Sequence, residues 1–143
     1  MKVALIEAKE ALSYQPLPLY SSRVPAGFPS PADDYIENAL DLNEYLIKHP
    51  SSTFFAKADG LSMVKAGIMD GALMVVDRSI TPQHEDIVIA VVDGELTCKI
   101  LDLNASALRA ANSSFASIPI NEEIDCLIQG VVTHVVNKLC TRS

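Results

Sequence analysis

Beyond Pro50 the chain alternates short apolar runs with turn-forming pairs. Thr53 to Ala58, Ala72 to Val76, Ile87 to Val92, Leu96 to Leu101, Leu108 to Ala111 and Leu127 to Asn137 are rich in Val, Ile, Phe and Leu. Asp59-Gly60, Asp70-Gly71 and Asp93-Gly94 punctuate them. Runs of this length and spacing predict strands of a sandwich or barrel-like core. The clearest element is the hairpin IVIAVV-DGE-LTCKIL, because Asp-Gly supplies the positive φ angles that a tight turn requires. Alternation along its second strand puts Leu96, Cys98 and Ile100 on one face and Thr97, Lys99 and Leu101 on the other.

Before Pro50 the texture differs. Pro16, Pro18, Pro25, Pro29, Pro31 and Pro50 crowd this part, and Ser21 to Pro31 interleaves Pro, Gly and Ser, so neither a helix nor a long strand is expected to persist there. One short helix is expected at its end. Asp41 can cap the first amides, Glu44 completes a capping box, and Leu42, Tyr45 and Leu46 share a face before His49-Pro50 stops it. The pattern therefore predicts a mainly β protein: a compact domain of short strands over 51–143, preceded by an extended, proline-rich arm over 1–50 that carries one short helix.

Composition narrows the class. With 143 residues, 49% of them apolar, there is material for one core and not for two. The longest unbroken apolar run, Ile87 to Val92, is far short of the ~18 residues that span a bilayer. The apolar stretch near the N-terminus is too short for a signal peptide and is interrupted by Glu7, Lys9 and Glu10, so a cytoplasmic protein with no membrane contact is expected. A net charge of −7 argues against direct nucleic-acid binding. Cys98, Cys126 and Cys140 are odd in number and lack C-x-x-C spacing, so no disulfide framework, metal site or cofactor is expected.

Three features carry possible chemistry. Lys99 sits inside a strand where charges are otherwise confined to turns; alone it reads as a lysine on a solvated face. Were it buried, the neutral amine would be favoured, and a neutral amine can serve as a general base. Ser62, in ADGLSMVKAGI, follows a strand and an Asp-Gly turn. It can cap a short helix, or present a hydroxyl nucleophile beside free backbone amides able to hold an oxyanion. A serine nucleophile needs a base. His49 precedes a proline, His84 lies in a polar turn and His134 in an apolar strand, and the G-x-S-x-G elbow lacks its second glycine, so a Ser-Lys pair is more economical than a Ser-His-Asp triad. The third feature, Val24-Pro25-Ala26-Gly27-Phe28-Pro29, is an ordinary loop or a narrow extended segment that fits a protease cleft.

Together, Ala26-Gly27, Gly60-x-Ser62-Met63 and Lys99, with the segments GFPSPADDY, DLNEYLIKHPS, DIVIAVVDGE and GVVTHVV, resemble the self-cleaving proteins of the LexA and UmuD type, closest to the UmuD branch. The likeness runs from about Leu17 to Lys138. It implies intramolecular hydrolysis of the Ala26-Gly27 bond, with Ser62 as nucleophile, Lys99 as general base and the Ser62 backbone amide as oxyanion donor. It further implies stimulation by a RecA filament on single-stranded DNA, loss of residues 1–26, a homodimer, and partnership with a UmuC-like Y-family polymerase in SOS translesion synthesis, without sequence-specific DNA binding. Residues 1–26 hold Lys2, Lys9 and Arg23 against Glu7 and Glu10, so their removal would leave a more acidic product.

Two positions depart from the pattern. Ala26-Gly27 replaces the Cys-Gly of the UmuD branch and is more like the pair in LexA and phage repressors. Glu85 stands where a glycine usually precedes the Asp-Ile-Val strand, which puts the local turn in question. The arm is too short and proline-rich for a repressor's helix-turn-helix. The rival reading is a non-catalytic dimeric interaction module of the same fold, regulating a DNA-repair or repressor partner, in which Ser62 and Lys99 are relics. A signal peptidase-like enzyme acting on other chains is disfavoured by the lack of an apolar anchor.

Overall fold

The computed structural model describes residues 2–7, 14–20 and 36–142, and Ala26-Gly27 lies outside them. The chain forms two compact units, one of residues 11–48 and one of residues 1–10 with 49–143. The smaller holds an antiparallel pair, β2 (Pro16–Tyr20) and β3 (Ile36–Asp41), followed by α1 (Leu42–Leu46). Asp41, buried, caps α1 as its sequence signature requires: Oδ2 accepts from the Glu44 amide at 3.0 Å, and Oδ1 accepts from the Gln15 amide at 2.7 Å. The apolar face expected of α1 is not packed away; Leu42 and Tyr45 are exposed.

The larger unit is an eight-stranded sheet in the order β1-β4-β5-β10-β6-β7-β8-β9. Its strands are β1 (Lys2–Glu7), β4 (Thr53–Asp59), β5 (Leu73–Asp77), β6 (Ile87–Val92), β7 (Glu95–Asp102), β8 (Ala107–Arg109), β9 (Ile118–Pro119) and β10 (Cys126–Val136). All its pairings are antiparallel, and β1 also meets β7, where Lys2 pairs with Thr97. The mainly β architecture is as the run-and-turn pattern predicts. The β6–β7 hairpin closes on a two-residue turn between Val92 and Glu95, with Asp93 at φ 49° and Gly94 at φ 82°.

Two elements depart from expectation. Residues 2–7, read as part of a loose arm, form a strand of the main sheet. Pro16 and Pro18 lie within a strand, since a two-stranded sheet leaves each member an unpaired side where a missing N–H costs no ladder bond.

Consecutive buried residues of β6 point to opposite faces and feed two clusters. Ile89 joins Phe54, Met63, Met74, Val76 and Cys98, while Val88 and Ala90 join Leu101, Leu108 and Val131. This two-sided burial is why Ile87 to Val92 reads as an unbroken apolar run. The long strand β10 pairs with β5 and β6, and close passage there requires Gly130: a Cβ would come within 2.8 Å of Val76 and 3.1 Å of the Asp77 carbonyl oxygen. No helix among the described residues is long and apolar enough to cross a membrane.

Candidate active site

Strand β4 ends at Asp59, and the chain turns through Gly60, whose φ of 109° suits a residue without a side chain. Asp70 holds this turn by accepting from the Gly60 amide at 2.8 Å. Ser62 follows, fully buried, and Met63 beside it is anchored in the first cluster. A short 3-10 helix, Val64–Ala66, begins next, but its cap position is Met63 and no side chain caps it. The Ser62 hydroxyl therefore does not serve as a helix cap. It meets Lys99 Nζ at 3.1 Å, a contact joining residues 37 apart in sequence.

Lys99 reaches this position from the middle of β7. The register sets it opposite Val88, on the face that also carries Leu101, and it is only 5% exposed. The solvated-face reading of Lys99 is thus overturned. An amine taken this far from water needs a polar partner, and the Ser62 oxygen provides one. The Ser62 amide N–H makes no hydrogen bond to a described residue, which leaves it available as a donor. A groove of about 240 Å³ reaches Lys99, bordered also by Lys2, Val92, Glu95, Leu96, Thr97 and Ile118.

Sequence reasoning missed the supports of the serine turn. Asn112 Nδ2 donates to the Leu61 carbonyl at 3.1 Å, and the Lys65 amide donates to the Ala111 carbonyl at 3.0 Å. The only sequence signal at Asn112 was its turn-forming chemistry, since its Oδ1 accepts from the Ser114 amide.

The histidines are engaged elsewhere. His84 Nδ1 accepts from the Leu103 amide, and His134 Nδ1 lies 3.0 Å from Thr133 Oγ1. His49 Nδ1 lies 2.6 Å from Asp77 Oδ2 and 3.1 Å from Ser79 Oγ, while Ser79 Oγ donates to Asp77 Oδ1 at 2.6 Å. Serine, histidine and aspartate meet here, but both partners share one ring nitrogen, whereas a catalytic triad uses opposite ones. The cluster is a clasp on a buried carboxylate. Burial alone would push the Asp77 carboxyl up; hydrogen bonds from the Ser79 hydroxyl, the His49 ring and the Ser79 amide outweigh it and hold the group below the ordinary carboxylate range.

A group with a depressed folded-state pKa stabilises the fold above its unfolded value and loses that contribution as pH falls through the folded one. Asp77→Asn is therefore expected to cost about 1–3 kcal/mol at neutral pH. The gap to wild type should shrink below about pH 4. Urea denaturation at pH 7 and pH 3 measures both, and a gap that ignores pH contradicts the assignment.

Two other features answer questions from the sequence. Glu85 occupies the left-handed region at φ 71°, where glycine is favoured, so the departure from the family pattern carries backbone strain. Its carboxylate accepts from Arg109 Nη2 at 2.8 and 3.0 Å, an ion pair that a glycine there would lack. Cys98 is buried, and desolvation pushes its thiol up to about 12, which makes it a packing group rather than a nucleophile.

The fold is mainly β, with a serine turn abutting a buried strand lysine, and comparison with known proteins gives the family. Residues 18–133 match the family described as Peptidase S24-like. The chain is 50% identical to protein ImpA of Escherichia coli over 122 residues, 85% of this chain and 83% of that protein. Protein MucA of Escherichia coli is 40% identical over 148 aligned positions, covering 99% of this chain and all of its own length. The LexA repressor of Pasteurella multocida is 33% identical over 136 positions, 92% of this chain and 64% of the repressor. The protein belongs to the Peptidase S24-like family, the LexA and UmuD family.

Proposed function

We propose that this protein is a self-cleaving serine peptidase that hydrolyses its own Ala26-Gly27 bond. The processed form would act in the cytoplasm as the accessory subunit of an error-prone Y-family polymerase in SOS translesion synthesis. The observation that carries the reading is the buried 3.1 Å contact between Lys99 Nζ and Ser62 Oγ. Membership of a peptidase family and the likeness to ImpA, MucA and LexA support it.

In the proposed reaction the neutral Lys99 amine takes the Ser62 hydroxyl proton as Oγ bonds to the Ala26 carbonyl carbon. The Ser62 amide donates to the resulting oxyanion. Lys99 then delivers its proton to the Gly27 nitrogen as the Ala26-Gly27 bond breaks, and residues 1–26 remain as an ester on Ser62. Water, deprotonated by the same amine, hydrolyses that ester and restores the serine. Because substrate and nucleophile share a chain, the rate is governed by docking of the arm rather than by encounter. In this reading a RecA filament on single-stranded DNA favours the docked conformation, and the product dimerises.

The test is a time course of intact mass at mildly alkaline pH, where lysine amines are more often neutral, with and without RecA filaments. Loss of residues 1–26 is expected, and wild type that stays full length under both conditions refutes the reading in favour of a non-catalytic module. Gly27→Glu should block cleavage by overfilling a site shaped for small residues, with the fold retained by circular dichroism. An unchanged cleavage rate would show that another bond is cut.

A further inference from the structure

Strands β1, β4, β5, β10, β6 and β7 form a closed ring, because the sheet's first strand returns to β7. Its weakest seam is there. Between β1 and β4 six residue pairs are in register, Lys2 with Asp59 through Glu7 with Phe54. Between β1 and β7, among the described residues, one pair is in register, Lys2 with Thr97. Of the β1 side chains described, Lys2, Ala4 and Leu5 are exposed and Val3 packs against the first cluster.

The turn that follows one wall of this gap, and the other wall itself, carry the two members of the dyad. Ser62 lies three residues beyond the end of β4, and Lys99 lies two beyond Thr97 on β7. Lys2 and Lys99 border the same groove. A chain segment that pairs along β4 and meets β7 at Thr97 therefore comes within two residues of Lys99, whose Nζ meets Ser62 Oγ, and β1 now holds that course. Extended peptides bind sheet edges by main-chain pairing, which is largely blind to sequence.

We propose that the gap between β4 and β7 is a slot for an extended peptide, and that β1 is its resident occupant, a strand that must leave before the Ala26-Gly27 segment reaches Ser62. The proposal rests on the self-cleavage reading for its consequence and not for the slot itself. Residues 2–7 thereby act as an internal competitor of the scissile segment, and they leave with the fragment that cleavage removes.

Locking and unlocking β1 in the full chain tests this. Val3 and Ala58 are directly opposed, so Val3→Cys with Ala58→Cys can be oxidised to tether β1 to β4. Ala4→Pro with Leu5→Pro removes neighbouring amides from β1, at least one of which faces β4, and loosens the strand. Oxidation of the tethered chain should slow self-cleavage at least tenfold and reduction should restore it, whereas the proline pair should speed cleavage at least tenfold without RecA filaments. A second readout needs no catalysis: a fluorescein-labelled peptide of residues 20–33 is titrated against both variants carrying Ser62→Ala. The proline variant should bind it at least tenfold tighter than the oxidised one. Equal affinities would overturn the slot whether or not the chain cuts itself, and absence of cleavage in wild type with unequal affinities would overturn only the self-cleavage reading.

Discussion

Ser62→Ala and Lys99→Ala should each abolish the loss of residues 1–26, with RecA filaments as without them. The expected fall in rate is about 10⁴-fold or more, because the nucleophile and its base act as one unit and removing either leaves the other without a task. For the same reason the double variant should cleave no more slowly than either single one. Lys99→Ala also removes a long buried stem, so a loss of cleavage there could come from repacking around Leu101 and Val88. Lys99→Met separates the causes by filling similar volume without an amine. It should melt above Lys99→Ala, since it leaves no void around Leu101 and Val88, and yet cleave no faster than that variant. Cleavage of the Met variant at the wild-type rate would remove Lys99 from the mechanism.

The second large effect is on the fold, at Met63. This side chain is fully buried in the first cluster beside Phe54, Met74 and Ile89, and it is the residue next to Ser62. Met63→Ala should lower unfolding free energy by about 2–5 kcal/mol through lost burial and the void left behind. Urea denaturation checks the size. The variant should also cleave more slowly than its folded fraction explains, because Met63 fixes the backbone that aims Ser62 Oγ at Lys99. A stability loss with an unchanged rate per folded molecule would show that the turn is held by Asp70 and Asn112 instead.

Much of this was legible in the residues because the information was local. The Asp93-Gly94 turn and its flanking runs define the β6–β7 hairpin without help from the rest of the chain, and Asp41 with Glu44 marks the start of α1. Strand β1 was not legible. Its partner lies some fifty residues away, and the sequence KVALIE shows no strict alternation that would set it apart from an unpaired arm. The prolines of β2 misled for a related reason: proline excludes a central strand, and nothing nearby says that a strand will have only one neighbour. At the site, alternation placed Lys99 on the Leu101 face, but whether that face is wet depends on Val88 opposite it and on Ser62 arriving from another strand. Those are tertiary facts. Setting the histidines aside already favoured a Ser-Lys pair, and the resemblance then implied a role for each of Ser62 and Lys99.

The position of β10 sets a timetable. In the sheet it stands between β5 and β6, and so joins the half that carries Ser62 to the half that carries Lys99. Among the described strands it is the last to leave the ribosome. Until Val136 has been synthesised, the serine and the lysine have no β10 to align them. In the self-cleavage reading, a nascent chain therefore holds its substrate segment long before Ser62 and Lys99 share a completed sheet, and the order of its strands delays the cut.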